Sequence, residues 1–353
     1  MRKQWIGILA FLVMWQLVVP PMSFAERNAL VDVKSTYWAA PSIHEMVASG
    51  YMNAYEDGTF KPNQPITRGE VAETLVKALK LPLDGSIQLQ AKDMPTTHPQ
   101  YDMFQKLVEL HVVDHRQQLN PDKFVTRGQM AKMIAQAFGI AVDESNEATF
   151  LDTKKGCWAK HYIESLADVG VITGKPNMKY EPYAQVTRAQ MAVLITRALD
   201  FKAQMDKLEV AYDYLGKRYI TTVLENEAQG TEIVRLVNEE REKNGLSSLI
   251  QDPYLNQLAT IKVQDMFEYG YFDHQSPYYG HSWDMATLYD YEFLSFGENI
   301  ARFFIKPEEV MVAWMASESH RENILKPNYT HIGVAVKKDD NGKYYFIQLF
   351  STK

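Results

Sequence analysis

The chain has one cysteine, Cys157, in 353 residues, so no intrachain disulfide can form. Positive charge is also scarce: 37 Lys and Arg against 44 Asp and Glu leave a formal charge of −7. That balance lacks the basic footprint which a nucleic-acid partner demands. Beyond residue 25 no apolar run approaches the length of a membrane span. No glycine-serine tether divides the chain, and no Gly-x-Ser-x-Gly, His-Glu-x-x-His or phosphate loop names a reaction. What is present is 46% apolar and 12% aromatic residues, enough to fill the cores of two or more globular domains. Stability must come from packing, and Cys157 beside Trp158 reads as a buried thiol.

The N-terminus differs from the rest. Arg2 and Lys3 precede an apolar run from Trp5 to Val19, followed by Pro20, Pro21 and Ser23-Phe24-Ala25. These are the parts of a secretory signal peptide over residues 1–25, with cleavage expected after Ala25. The mature chain, more acidic still without Arg2 and Lys3, is then expected outside the cell with no transmembrane segment.

One short motif occurs three times. Ile66-Thr67-Arg68-Gly69-Glu70 returns as Val125-Thr126-Arg127-Gly128-Gln129 and as Val186-Thr187-Arg188-Ala189-Gln190, at steps of 59 and 61 residues. Thr followed three residues on by Glu or Gln is a capping box, and Ile66 with Val71, Val125 with Met130 and Val186 with Met191 are spaced as hydrophobic staples. Helix capping accounts for the Thr and the Glu or Gln. It does not account for Arg68, Arg127 and Arg188, which face the positive end of a helix dipole. Guanidiniums beside outward-pointing N–H groups would make three anion-reading pockets; the plainer alternative is a solvated arginine.

Each repeat opens on an aspartate (Asp32, Asp93, Asp152), continues into a helix and a Gly/Asp/Asn/Pro turn, and ends in the helix that the box starts. Such a unit is too small to stand comfortably alone, so three would bury their faces together. The aspartate, Tyr37-Trp38-Ala39 and Cys157-Trp158-Ala159, Asp57-Gly58-Thr59-Phe60-Lys61-Pro62 and the Thr-Arg box resemble S-layer homology (SLH) domains. The resemblance covers residues 30–81, 91–140 and 150–201. It implies an all-α pseudo-threefold bundle that binds pyruvylated secondary cell-wall polysaccharide of Gram-positive bacteria, with Asp32, Arg68, Asp93, Arg127, Asp152 and Arg188 lining its grooves. The second repeat is degenerate: His98-Pro99 replaces Trp-Ala, His111 replaces the capping glycine, and Arg116-Gln117-Gln118-Leu119 replaces Asp-Gly-Thr-Phe.

Residues 202–230 read as a charged helical linker, either a spacer or an arm packed on one of its neighbours, with Met205, Leu208, Tyr212 and Leu215 at helical spacing. Residues 231–353 read as helices followed by strands. Thr231 is a candidate cap, Asp252-Pro253 opens a second helix, and a long helix is expected from Pro307 to about Leu325. Two strand-like runs then meet through Asp339-Asp340-Asn341-Gly342.

His274, Glu298 and His320 stand out here, though each alone is a weak signal. Gly297-Glu298-Asn299-Ile300-Ala301, Trp314 with Ser319-His320-Arg321-Glu322-Asn323-Ile324-Leu325, Ile332-Gly333-Val334 and Gln348-Leu349-Phe350 resemble the bacterial branch of the CAP superfamily. That resemblance implies an α-β-α sandwich with an antiparallel sheet and a cleft of two histidines and two acids. His274, Glu298 and His320 match three of them. The fourth position is Ser317, and its neighbour Glu318 would point about 100° away on the helix. Two imidazoles and a carboxylate allow a divalent ion such as zinc on His274 and His320, an acid-base pair, or simply a hydrogen-bonded bracket between loops. The chain as a whole then reads as a secreted, wall-anchored protein whose CAP domain binds a wall, lipid or peptide ligand. A metal-assisted hydrolase is the alternative.

Overall fold

The computed structural model describes residues 30–154 and 156–353; the signal-peptide expectation lies outside them. None of the helices found there is long and apolar enough to cross a membrane.

Six helices make the N-terminal half: α1 (Ala40–Ala48), α2 (Arg68–Ala78), α3 (Tyr101–Glu109), α4 (Arg127–Phe138), α5 (Lys160–Asp168) and α6 (Arg188–Asp206). They alternate, two per repeat, around one apolar core that includes Ile43, Phe60, Leu75, Phe104, Ile134 and Ile195. All three capping boxes form, with Thr67, Thr126 and Thr187 accepting from the residue at N3 and its side chain returning the bond.

The staple residues do more than pack. Ile66 N–H donates to Val186 O at 2.9 Å, Val186 N–H to Val125 O at 2.9 Å, and Val125 N–H to Ile66 O at 3.1 Å. The three repeats therefore close a ring of backbone hydrogen bonds at the heart of the half. The degenerate second repeat keeps its place in that ring, and His111 takes up the left-handed conformation (φ 58°) found at Gly50 and Gly170.

Beyond α6 the helical linker is corrected. The helix stops at Asp206, and a hairpin of β1 (Val210–Asp213) and β2 (Arg218–Thr221) follows. Its tyrosines face the N-terminal half: Tyr212 Oη donates to Asp143 at 2.7 Å, and Tyr219 Oη accepts from Ala141 N–H at 2.9 Å. Gln257 and Tyr279 bind the hairpin's other side, at Val210 O and Asp213. Partners on both flanks, rather than helical propensity, decide this segment.

In the C-terminal half α7 (Glu227–Lys243), β3 (Ile250–Gln251), α8 (Pro253–Glu268) and α9 (Ser282–Leu288) precede β4 (Ser295–Phe304). Next come α10 (Pro307–Ala316), α11 (Glu318–Ile324), β5 (His331–Lys338) and β6 (Tyr344–Thr352). The helix α7 starts at Glu227, so Thr231 lies inside it and is no cap. The sheet order is β3-β5-β6-β4, antiparallel except that the two-residue β3 runs parallel to β5. Alternation along β6 sends Ile347 and Leu349 into the core under α8 and α9, and Phe346 and Phe350 into the core with α7 and α10. The sheet thus lies between two helical layers.

Candidate functional site

In the N-terminal half the box arginines reach across to the next repeat. Arg188 Nε donates to Phe60 O, Arg68 Nε to Leu119 O and Arg127 Nε to Tyr180 O, at 2.7 to 2.8 Å. Each acceptor residue is held in turn by an opening aspartate. Asp32 accepts Phe60 N–H and Lys61 N–H, Asp93 accepts Leu119 N–H and Asn120 N–H, and Asp152 accepts Tyr180 N–H and Glu181 N–H. Lys61, Asn120 and Glu181 have φ of 53–62°, so each carboxylate clamps a turn in a conformation that L residues resist. Burial disfavours the charge at Asp93 and Asp152, but the paired amides outweigh it and hold both below the usual carboxyl value.

One sequence expectation needs correction here. The first amides of α2, α4 and α6 do not point outward: Arg68 N–H, Arg127 N–H and Arg188 N–H donate to Lys123 O, Ala184 O and Gln64 O of neighbouring repeats. The aspartates accept one bond on each oxygen from the turns, and the contacts they make here are those of clamps.

The three arginines are also unequal. Arg188 is 5% exposed, with its terminal nitrogens on Glu70 at 2.8 Å and Asn53 O at 2.6 Å. The positions matching Glu70 are Gln129 and Gln190, which carry no charge. Among the described residues the terminal nitrogens of Arg68 and Arg127 find no hydrogen bond or ion pair. Arg127 lies over the Tyr180 ring at 4.2 Å. Arg68 fronts a groove of about 520 Å³ lined also by Arg116, Lys123, Lys132, Gln129 and Trp158. Cys157, half-buried, does not become the buried thiol expected.

The C-terminal site is built on a strand step. Successive residues of β4 face opposite sides of the sheet, so Glu298 meets α9 and Asn299 meets α11. Glu298 accepts Ser282 Oγ on one oxygen and lies 2.7 Å from His274 Nδ1 on the other. Asn299 donates to His320 O and to Gln348 Oε1, both at 3.1 Å, and Asn323 donates to Asn299 Oδ1 and Glu298 O. Lys262, fully buried, donates to His274 O at 3.1 Å. The fold therefore brings His274 and Glu298 into contact and ties the His320 backbone to the same strand.

The expected long helix breaks at Ser317, whose ψ of 126° ends α10 and starts α11. The 100° argument for Glu318 lapses with it. Ser317 Oγ instead sits 2.9 Å from His320 Nδ1. Sequence reasoning gave no role to Ser282, Asn299, Asn323, Gln348 or Lys262; only Asn299, Asn323 and Gln348 lay within motifs, where nothing told their contacts.

Residues 234–350 match the Cysteine-rich secretory protein family (CAP), and residues 30–72 and 149–192 match the S-layer homology domain. The chain joins S-layer homology domains to a CAP domain. The uncharacterized protein YkwD of Bacillus subtilis is 52% identical over 102 residues, which is 29% of this chain and 40% of that one. The surface-layer 125 kDa protein of Lysinibacillus sphaericus is 29% identical over 204 residues, 55% of this chain and 17% of that one. The chain thus spans less than half the length of either relative. An extracellular protein containing an SCP domain from Bacillus anthracis aligns at 24% identity and a TM-score of 0.34, over 43% of this chain and 50% of that one. With S-layer homology domains shared with S-layer proteins of bacilli, the protein belongs to the Gram-positive cell surface. The second repeat lies outside both SLH matches, yet its helices and its Asp93 clamp are formed.

Within the CAP domain the two imidazoles are tuned apart. The Glu298 hydrogen bond raises His274 above its ordinary value. Burial, together with the charge on His274, lowers His320 below it. With Glu298 spent on His274 and Ser282, and an acid replaced by Ser317, these side chains do not by themselves supply the three donors of a zinc site. Among the described residues no three His, Cys, Asp or Glu converge as a metal would need.

His274 therefore favours folding below its unfolded value of about 6.5, a contribution lost as pH rises through the raised folded value. His320 does the reverse and costs stability as pH falls below that same value. An NMR titration of the ring protons should find His274 titrating above 6.5 and His320 below it. Glu298→Gln should bring His274 down; an unmoved His274 would remove the carboxylate as the cause.

Proposed function

We propose that the SLH half tethers this protein to pyruvylated secondary cell-wall polysaccharide through Arg68 and Arg127, and that the outward CAP cleft binds a wall, lipid or peptide ligand at His274 and His320. The observation that carries the tether is the exchange of Glu70 for Gln129 and Gln190. Glu70 neutralises Arg188 from within, whereas a neutral glutamine in the other two repeats leaves the fork of the guanidinium to pair with an outside carboxylate. The groove at Arg68 adds Lys123 and an aromatic face at Trp158 for a sugar ring, while its Arg116 and Lys132 are already paired with Asp114. A local cationic groove on an acidic chain suits a polymer that carries its charge at spaced carboxylates.

Purified wall sacculi should retain the full chain. Each charge-assisted bond is worth about 1.5–3 kcal/mol, so Arg68→Ala with Arg127→Ala is expected to weaken retention about 100-fold or more. Chemical removal of the pyruvyl ketals should do the same. Arg188→Ala should instead lower the melting temperature, because it leaves Glu70 Oε1 and the carbonyls of Phe60 and Asn53 without the guanidinium that serves them. Full retention by the double variant would overturn the assignment.

A further inference from the structure

Ser317 stands at the break between α10 and α11, where it could cap the second helix but makes no side-chain cap bond. Its hydroxyl is directed to His320 Nδ1 at 2.9 Å, while His320 Nε2 has no partner among the described side chains. Ser319 Oγ lies 3.4 Å from the same hydroxyl. Across the cleft His274 is fixed by Glu298, which Ser282 steadies from behind. A hydroxyl resting on an imidazole, near a second imidazole backed by a carboxylate, is an arrangement that binding alone does not require.

We propose that Ser317 is a nucleophile, His320 its general base and His274 the proton-bearing group that steadies the oxyanion, so that the cleft removes O-acyl groups from an ester-bearing ligand. Ser317 Oγ attacks the ester carbonyl as His320 Nδ1 takes the hydroxyl proton. The carbonyl electron pair moves to oxygen, which the imidazolium of His274 faces. Collapse breaks the bond to the alkoxy oxygen, and the alcohol leaves with the proton held on His320. Water, deprotonated by His320, then attacks the acyl-serine and releases the carboxylic acid, returning Ser317 to its starting state. Among the described residues no third group orients His320 through Nε2. The dyad therefore suits esters, whose alcohols leave readily, better than amides. Burial lowers the basicity of His320 and the Glu298 hydrogen bond raises that of His274, which sets the first as the better proton acceptor and the second as the better proton carrier of the pair.

The proposal extends the ligand-binding reading of the cleft and is tested apart from the wall tether, which sacculus retention reports separately. The full chain is treated with a fluorophosphonate and mapped by mass spectrometry, and its turnover of p-nitrophenyl acetate is followed with and without a chelator. The expected result is one adduct, on Ser317, with chelator-insensitive hydrolysis that falls by on the order of 10³-fold in Ser317→Ala and in His320→Ala. The rate should rise with pH through the titration of His320 and decline through that of His274. A purely structural hydroxyl would leave no such profile. Native-like hydrolysis by a folded Ser317→Ala chain, an adduct elsewhere, no adduct at all, or activity lost to the chelator would each overturn it.

Discussion

Replacing Gly333 by alanine should unfold the CAP domain or bring it close to unfolding. A Cβ built there would lie 2.3 Å from the carbonyl carbon and the Cβ of Leu255 and 2.5 Å from its carbonyl oxygen, where real Cβ atoms do not come within 3.0 Å. The obstruction includes the backbone of α8, so no rotamer change relieves it. The strand β5 must move away from α8. That shift also breaks the bond from Val334 N–H to Asn256 Oδ1 at 2.9 Å and opens the core around Leu255, Leu258 and Leu349. Overpacking of this kind costs about 3 kcal/mol or more, a large share of the roughly 5–15 kcal/mol that holds a domain together. Thermal melts followed by circular dichroism should show the CAP transition lowered by at least about 10 °C. A melt unchanged to within about 2 °C would mean that β5 and α8 have more room than their geometry allows.

Arg241→Leu is expected to be nearly as damaging, for an electrostatic reason. Arg241 is fully buried, and no carboxylate pairs with it among the described residues. Its guanidinium donates instead to four carbonyls: Ser247 O at 2.8 Å, Ile324 O at 2.8 Å, Lys326 O at 2.9 Å and Tyr329 O at 3.3 Å. Burial lowers its pKa, yet a guanidinium keeps its proton in any protein interior. Leucine would fill much of the space and satisfy none of the carbonyls. Stranded acceptors cost about 1–3 kcal/mol each before relaxation. Two of those carbonyls lie at and just beyond the end of α11, the helix that carries His320, so the cleft should loosen along with the fold. Denaturant titration is the measurement, with Arg241→Lys as a companion that restores part of the loss. A change under about 0.5 kcal/mol, the size of an ordinary surface substitution, would show that the carbonyls find other donors.

Much of the architecture could be read before any coordinates. Capping boxes are local, since Thr67 and Glu70 satisfy one another within a single turn, and three copies at near-equal steps announce three helices. The alternating run His331 to Lys338 and its Asn341-Gly342 turn were equally local signals. The linker was not legible, because Met205, Leu208, Tyr212 and Leu215 fit a helical period while Asp143, Gln257 and Tyr279, far off in sequence, hold a hairpin. The helix break at Ser317 was hidden for a related reason. Ala316-Ser317-Glu318 contains no glycine or proline, and the extended serine is paired with His320, whose backbone is tied to Asn299 on β4.

The same boundary runs through the sites. His274, Glu298 and His320 were picked out by motif, and the structure placed His274 on Glu298. It gave no sign in advance that Ser317 would meet His320 rather than stand as a missing acid. The sequence by itself determined the repeat, the three capping-box helix starts, the acidic balance and the residue types at the sites, since each is a matter of composition or of contacts within a few residues. Only the tertiary structure decided which arginine is neutralised, because Glu70 and Arg188 are 118 positions apart and meet only when the ring of repeats closes. Charge pairing acts over a few ångströms of space, and distance along the chain says nothing about it until folding brings the partners together.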